Sequence, residues 1–380
     1  MNVGITCYPT IGGSGILATS LGEELANRGH QVHIISYERP VRLRPDLHFH
    51  PVAISGYELF KYPDYTLPLS VKMAEVSEAE HLDVLHVHYA VPHATAAILA
   101  RSMLPPALQP RIITTLHGTD TTLLGQDAGY GPAIRHAIEC SDAVTAVSHF
   151  LRRETQRLLA PAHPIEVIYN FYVPRPPLRS RDAVRRELGV HHEALLLHAS
   201  NLRPLKRIDV LLETVARVRP PCKLLVLAGE GFEPYQAAVH RLGLDSRVLV
   251  RHGIHAVEEY LNAADLLLMT SDSESFCLSI LEAMWFACPA VSTSVGGVPE
   301  VVEHGVSGLL APAGDVVALS RAVESLLEDP PRRQALGEAA RERARQFFSA
   351  DAIVSQYEAL YRRLVTEGRP DGRISVHQTP

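Results

Sequence analysis

Three prolines in four residues, Pro174, Pro176 and Pro177, divide this chain into two similar series of alternating strand and helix patterns. Proline fixes φ and lacks an N–H, so neither a helix nor a central strand runs through this point, and residues 170–177 read as a stiff linker. Ahead of it, apolar runs predict strands over residues 3–7, 32–36, 84–88, 112–116, 143–147 and 165–168, with helices over 17–28, 93–103 and 149–159. Behind it, strands are predicted over 194–199, 223–228, 248–250, 265–269, 290–292 and 308–310, with a helix over 208–218. Strands that alternate with helices build parallel sheets. The expected fold is α/β, with two Rossmann-like domains, 1–171 and 175–349, facing across a deep cleft. A helical pattern over 350–366 follows, and the polar stretch 367–380 is expected to fray.

A length of 380 residues exceeds one comfortable core, in keeping with two domains. Apolar residues make up 46% and charged residues 21%, an ordinary globular balance. No apolar run reaches the roughly 18 residues a membrane span needs. The stretch from Met1 to Cys7 lacks a basic segment ahead of an apolar one and reads as a first strand, not a secretory leader. A net charge of −6 gives no electrostatic reason to expect nucleic acid as a partner. Five cysteines, Cys7, Cys140, Cys222, Cys277 and Cys288, form no Cys-x-x-Cys pair and fit a reducing cytoplasm. A homo-oligomer stays open on these grounds.

The segment from Ser273 to Met284 is the richest in chemistry. It places Glu274 and Glu282 eight positions apart, just past the predicted strand 265–269. From Ser279 onward the pattern turns helical, with Ser279 the expected N-cap and Glu282 in the first turn. Glu282 alone would read as half of a capping box. Paired with Glu274 in the crevice beyond the strand ends, it suits a site where carboxylates accept hydrogen bonds from sugar and ribose hydroxyls.

Other candidates fall at strand ends too. Gly12, Gly13, Ser14 and Gly15 follow the first strand, where glycines let backbone amides approach a phosphate. Their spacing does not match the Gly-x-Gly-x-x-Gly dinucleotide fingerprint. The run from Asn201 to Arg207 sits before a predicted helix and puts Arg203 and Lys206 where an anion would bind. His117, Gly118, Thr119 and Asp120 end the strand 112–116, and Gly118 is expected to expose His117 to the cleft. His86 and His88 lie on one face of a strand, but no third ligand at convincing spacing follows, so core or cleft histidines are the better reading and no catalytic metal is expected. The turns at Gly253 and Ile254, and at Gly296 to Glu300, read on their own as turn geometry.

Taken together, the segment 273–284 resembles the Glu-x7-Glu signature of retaining nucleotide-sugar glycosyltransferases of the family 4 type, which have the GT-B architecture. The resemblance covers nearly the whole chain, from Gly12 to about Leu364. It implies that the helix 350–366 crosses back to the first domain. It implies donor-sugar contact for Glu274 and ribose contact for Glu282, with Arg203 and Lys206 on the diphosphate and His117 beside the sugar. It also implies donor contacts from Gly12, Gly13, Asn201, Phe276, Cys277 and Leu278, and backbone contacts to the base from Gly253 and Ile254. Cys277 departs from the family pattern, which has glycine there, and the loop is expected to shift slightly to admit its side chain. The stretches from Pro9 to Gly15, Leu85 to Ala94, Thr115 to Asp120 and Ile168 to Phe171 are similar to the branch that joins N-acetylglucosamine from its UDP donor to L-malate in bacillithiol biosynthesis. The acceptor would then meet Ser14, Lys61, Tyr89, Thr119 and Asn170. The implied chemistry needs no cofactor. A related transferase with an inositol-phosphate or other acceptor, a non-hydrolysing UDP-N-acetylglucosamine 2-epimerase and a non-enzymatic sugar-nucleotide sensor remain as alternatives.

Overall fold

The computed structural model describes residues 1–9, 13–54, 65–229, 231–254 and 256–366. Gly12, Lys61 and the tail 367–380 lie outside these residues. Seven parallel strands form the first sheet: β1 (Asn2–Thr6), β2 (Gln31–Ser36), β3 (His48–Pro51), β4 (Val84–His88), β5 (Arg111–Leu116), β6 (Ala143–Ala146) and β7 (Ile165–Val167). Their order is β3-β2-β1-β4-β5-β6-β7. Six more form the second sheet: β8 (Ala194–Ser200), β9 (Cys222–Ala228), β10 (Val248–His252), β11 (Leu266–Met269), β12 (Ala290–Thr293) and β13 (Gly308–Ala311). That order is β10-β9-β8-β11-β12-β13, again with every pairing parallel. Central strands such as β1 and β11 are apolar on both faces because helices cover both.

Each sheet reverses its winding once, between β1 and β4 in the first and between β8 and β11 in the second. Loops leaving adjacent strands at such a point diverge to opposite faces, and the gap between them is where open α/β sheets take ligands. The glycine loop after β1 and the Tyr89 loop after β4 flank the first gap. The Asn201–Lys206 and Glu274 loops flank the second. Two aspects of the local structure differ from expectation. Residues 48–51 form the edge strand β3, and a helix spans Thr66–Ala79; the histidine-rich strand has no apolar alternation to betray it. The helix expected over 93–103 begins only at Thr95, after a wider turn over Ala90–Ala94.

The last helix, Ala350–Thr366, packs on the first sheet although it follows the second in sequence. Its Ile353, Val354, Tyr357, Leu360 and Tyr361 join Val3, Ile5, Val32 and Ile34 in one buried cluster. Arg28 pairs with Asp351 and Glu358 at 2.9 and 2.7 Å to fix its start. Another cluster runs through both domains, where Phe276 lies 6.0 Å from Tyr169 and 5.5 Å from Phe348, ring centre to ring centre. Among the described residues no helix is long and apolar enough to cross a membrane.

Candidate active site

The second-domain half is made of two interlocked loops. Asp272 donates its backbone N–H to Leu205 O at 2.8 Å, and the Thr270 hydroxyl donates to the carbonyls of Lys206 and Arg207 at 3.1 Å. This brings Lys206 Nζ to 2.6 Å from Glu274 Oε1, which also accepts from the Ser271 hydroxyl at 2.7 Å. Both side chains of the ion pair are largely buried, at 13% and 10% exposure, so each compensates the other's buried charge. Arg207 is occupied by Asp209 and Asp272. Arg203 is exposed and, among the described residues, has no ion-pair partner. Asn201 is exposed beside it. Two glycines hold the Glu274 backbone in place. A Cβ on Gly296 would lie 1.9 Å from Glu274 O, and one on Gly297 would lie 2.2 Å from Ser275 O. Only glycine allows that approach.

Cys277, not Ser279, caps the next helix, which spans Leu278–Trp285. Cys277 has φ +71, in the left-handed region, and makes no side-chain cap bond. The expected serine cap fails because the turn is closed by the chain path one residue after Phe276. The Ser279 hydroxyl donates instead to Ala199 O at 2.9 Å, tying the helix to β8. A left-handed residue costs a non-glycine side chain on the order of 1–2 kcal/mol, which accounts for the glycine of the family pattern at this position. The Cys277 thiol is buried, and that burial raises its pKa. Phe276 turns its ring into the interdomain cluster. Leu278 is half-buried at the helix start.

Glu282 is 9% exposed. Burial pushes its carboxyl up to about 7, opposed by Arg42 and assisted by Glu258. Arg42 of the first domain grips both oxygens of Glu258 at 2.9 and 3.3 Å, and Tyr172 of the linker donates to Glu258 at 3.0 Å. Gly253 and Ile254 leave β10, Gly253 at φ +62 and Ile254 half-buried against the core.

The first-domain half is a row of imidazoles. His86 lies between the Tyr361 hydroxyl and Thr115 Oγ1, each at 2.7 Å. Its ring stacks on His88 with centroids 4.6 Å apart, and His88 stacks on His117 at 5.1 Å. His88 Nδ1 and His117 Nε2 share a 2.8 Å hydrogen bond. Burial, with neighbouring imidazoles adding to it, lowers His86 and His117 to about 3 and His88 well below its ordinary value. His117 is thus half-buried, bonded and neutral. The reason is visible at Asp120, whose buried carboxylate accepts from Gly118 N at 3.0 Å and Ala90 N at 3.1 Å. It folds the His117 loop back onto the Tyr89 loop. The sequence presented Asp120 within its motif but gave no sign of this clamp. Tyr89, at φ +83, donates to Ser14 Oγ at 2.8 Å, and Thr119 stands half-buried at the start of the following turn. Asn170 is buried with Oδ1 lacking a partner among the described residues.

The halves meet. A Cβ on Gly118 would lie 1.8 Å from Ser275 Oγ, and one on Gly13 would lie 3.4 Å from Leu278 Cδ2. Ser148 Oγ donates to Ser275 O at 2.6 Å. Glu300 accepts from the backbone of His149 and Phe150, at 2.8 and 2.7 Å, so a second-domain carboxylate caps a first-domain helix, His149–Leu159. Arg203 is close enough to Tyr89 to hold its hydroxyl pKa down, although burial still drives it up to about 12. The first-domain loops of Gly13, Tyr89 and Gly118 thus meet the second-domain loops of Arg203, Ser275 and Leu278. Glu300 read in the sequence only as part of a turn, and nothing there pointed to Ser148; the folded contact reveals both.

Residues 180–343 match the family described as glycosyl transferases group 1, and residues 11–175 match glycosyltransferase family 4. The chain is 42% identical to the N-acetyl-alpha-D-glucosaminyl L-malate synthase of Bacillus anthracis, over 98% of this chain and 100% of that protein. It is 28% identical to the D-inositol 3-phosphate glycosyltransferase of Kribbella flavida, over 94% of this chain and 92% of that one. In three dimensions it is similar to sucrose-phosphate synthase from Thermosynechococcus elongatus, with a TM-score of 0.80 at 21% identity, covering 96% and 98% of the two chains.

Proposed function

The chain belongs to the family 4 glycosyltransferases, with the two-domain GT-B fold, and on that premise we propose that it transfers N-acetylglucosamine from UDP-N-acetylglucosamine to the hydroxyl of L-malate. Configuration at the anomeric carbon would be retained, and the reaction would open bacillithiol biosynthesis. Similarity to the Bacillus anthracis synthase along the full length of both chains supports the substrate pair. The observation that carries the chemistry is the Lys206–Glu274 pair beside Arg203, which has no ion-pair partner among the described residues and lies near Tyr89 and Ser14 of the first domain.

In this reading the donor separates the ion pair. Its diphosphate takes Lys206 and Arg203, and a sugar hydroxyl replaces Lys206 on Glu274. As the C1–O bond breaks, negative charge grows on the β-phosphate, and the two cations stabilise it where it forms. Glu282 accepts from the ribose diol. Backbone groups of Gly12, Gly13, Asn201, Gly253, Ile254, Phe276, Cys277 and Leu278 line the donor. His117, neutral and held by His88, offers a hydrogen bond to the sugar without adding a cation near an electron-poor anomeric carbon. Ser14, Lys61, Tyr89, Thr119 and Asn170 take the malate. Asp120, the carboxylate next to this site in sequence, has both oxygens engaged by backbone amides and is not placed to attack the sugar. That supports front-face substitution, in which the departing phosphate accepts the malate hydroxyl proton while the new C1–O bond forms on the same face. The thiols of all five cysteines are free, which supports a reducing cytoplasm as the setting.

The test is to incubate the protein with UDP-N-acetylglucosamine and a panel of hydroxy acids and inositol phosphates, then weigh the products. N-acetylglucosaminyl malate as the main product is expected. A glycosylated inositol phosphate, an epimerised donor or no turnover would each overturn the assignment.

A further inference from the structure

One cluster of metal-ligand residues lies outside this cleft. β2 and β3 pair in parallel with His33 opposite His48 and Ile35 opposite His50, so all three histidines share one face of the sheet edge. His33 Nδ1 is 3.1 Å from His50 Nε2. The third member, Glu80, ends the helix Thr66–Ala79, and its carbonyl is anchored by Asn2 Nδ2 at 2.8 Å. One potential ligand atom from each of His33, His50 and Glu80 lies within 4.8 Å of the other two. His33 is buried, and the ring nitrogen it turns toward His50 is Nδ1, while its Nε2 meets no partner among the described residues.

We propose that His33, His50 and Glu80 bind one divalent transition-metal ion of the zinc class, with water completing the shell. Bonds of about 2.0–2.2 Å in a tetrahedral shell separate ligand atoms by roughly 3.3–3.5 Å. The two imidazole nitrogens already stand near that spacing, and a small swing of the half-buried Glu80 side chain brings the third. Two nitrogens and one carboxylate oxygen suit zinc, and not magnesium or calcium, which prefer oxygen ligands. The cluster sits on the β3 edge of the sheet, with Glu80 held by Asn2 at the start of β1 and two strands between β3 and the β1–β4 crossover that flanks the cleft. The ion would therefore be structural. It would staple edge strand β3 to β2 and to the end of the helix, protecting an edge that otherwise offers unpaired backbone groups.

The experiment is to titrate chelator-stripped full-length protein with zinc chloride by calorimetry and to measure retained metal after dialysis. His50→Ala and Glu80→Gln serve as variants, since both side chains are only half-buried and neither touches the cleft. One zinc per chain with micromolar or tighter affinity is expected, weakened at least tenfold in each variant. The thermal midpoint should rise with zinc in the parent and not in the variants. No uptake, or affinity unchanged in either variant, overturns the site, and neither result bears on the transferase reading.

Discussion

On the first-domain side of the cleft, His86, His88 and His117 stack in a row that burial keeps neutral. On the second-domain side, Arg203, Lys206 and Glu274 gather formal charge, with Lys206 and Glu274 neutralising each other at 2.6 Å. The contrast follows the chemistry each side would meet. A diphosphate that gains charge as it leaves needs fixed cations. The sugar's reacting carbon becomes electron-poor, and a neutral hydrogen-bond chain can position it without repelling it. Strained or crowded backbone marks both halves, at Gly118 on one and at Cys277, Gly296 and Gly297 on the other.

The largest effect should come from removing a cation. Lys206→Ala is expected to lower kcat by about 10²–10³ while raising the donor KM much less, because the charge it meets grows in the transition state. A change confined to KM would show that Lys206 binds ground state and transition state alike, and the contrast between the halves would lose its catalytic meaning.

Closure comes next. Gly118→Ala forces a Cβ against Ser275 in a backbone conformation that alanine resists. Turnover should fall at least tenfold, and the thermal midpoint should fall as well, because the positive-φ strain is present whether or not the domains meet. Scattering that shows the variant as compact as the parent, with full activity, would refute the contact.

Glu282→Gln should weaken UDP binding by roughly 1.5–3 kcal/mol, the worth of a charge-assisted hydrogen bond. The raised pKa adds a signed pH effect. A group elevated from 4.5 to about 7 in the fold contributes stability that is complete below 4.5 and lost as pH rises through about 7. Ligand-free protein should thus lose stability across that window, and UDP affinity should rise over it, because ribose hydroxyls favour the carboxylate. Denaturant melts and calorimetry at several pH values should show both slopes in the parent and neither in the glutamine variant.

The smallest effect concerns Cys277. Comparing Cys277→Gly with Cys277→Ala separates strain from lost burial, and glycine should be the more stable by about 1 kcal/mol. Equal melting curves would mean the left-handed turn carries no strain.

Much of the architecture was legible because β-rich apolar runs such as those of β1, β4, β8 and β11 alternate with helical periods, and Pro174–Pro177 punctuates them. Strand β3 was hidden since His48, Phe49, His50 and Pro51 have no apolar alternation. Within the candidate site, the places of Arg203, Lys206 and Glu274 in loops at strand ends, and of Glu282 in the helix that follows, were readable because such loops announce themselves by glycine and charge. The serine cap was misjudged because Ser279 satisfies local preference, while the chain turns two residues earlier under tertiary constraint. Asp120, Glu300 and Arg42 were silent for a different reason. Their partners lie on another loop or in the other domain, and no local pattern encodes a contact of that range.

The account rests on donor and acceptor halves that act together only when closed. A calorimetric titration of L-malate into the protein, with and without saturating UDP, tests this most directly. Closure around the nucleotide should build the malate site, so binding is expected to be weak alone and clearly tighter with UDP present. Equal affinity in both titrations would contradict the coupling, and no malate binding in either would contradict malate as the acceptor.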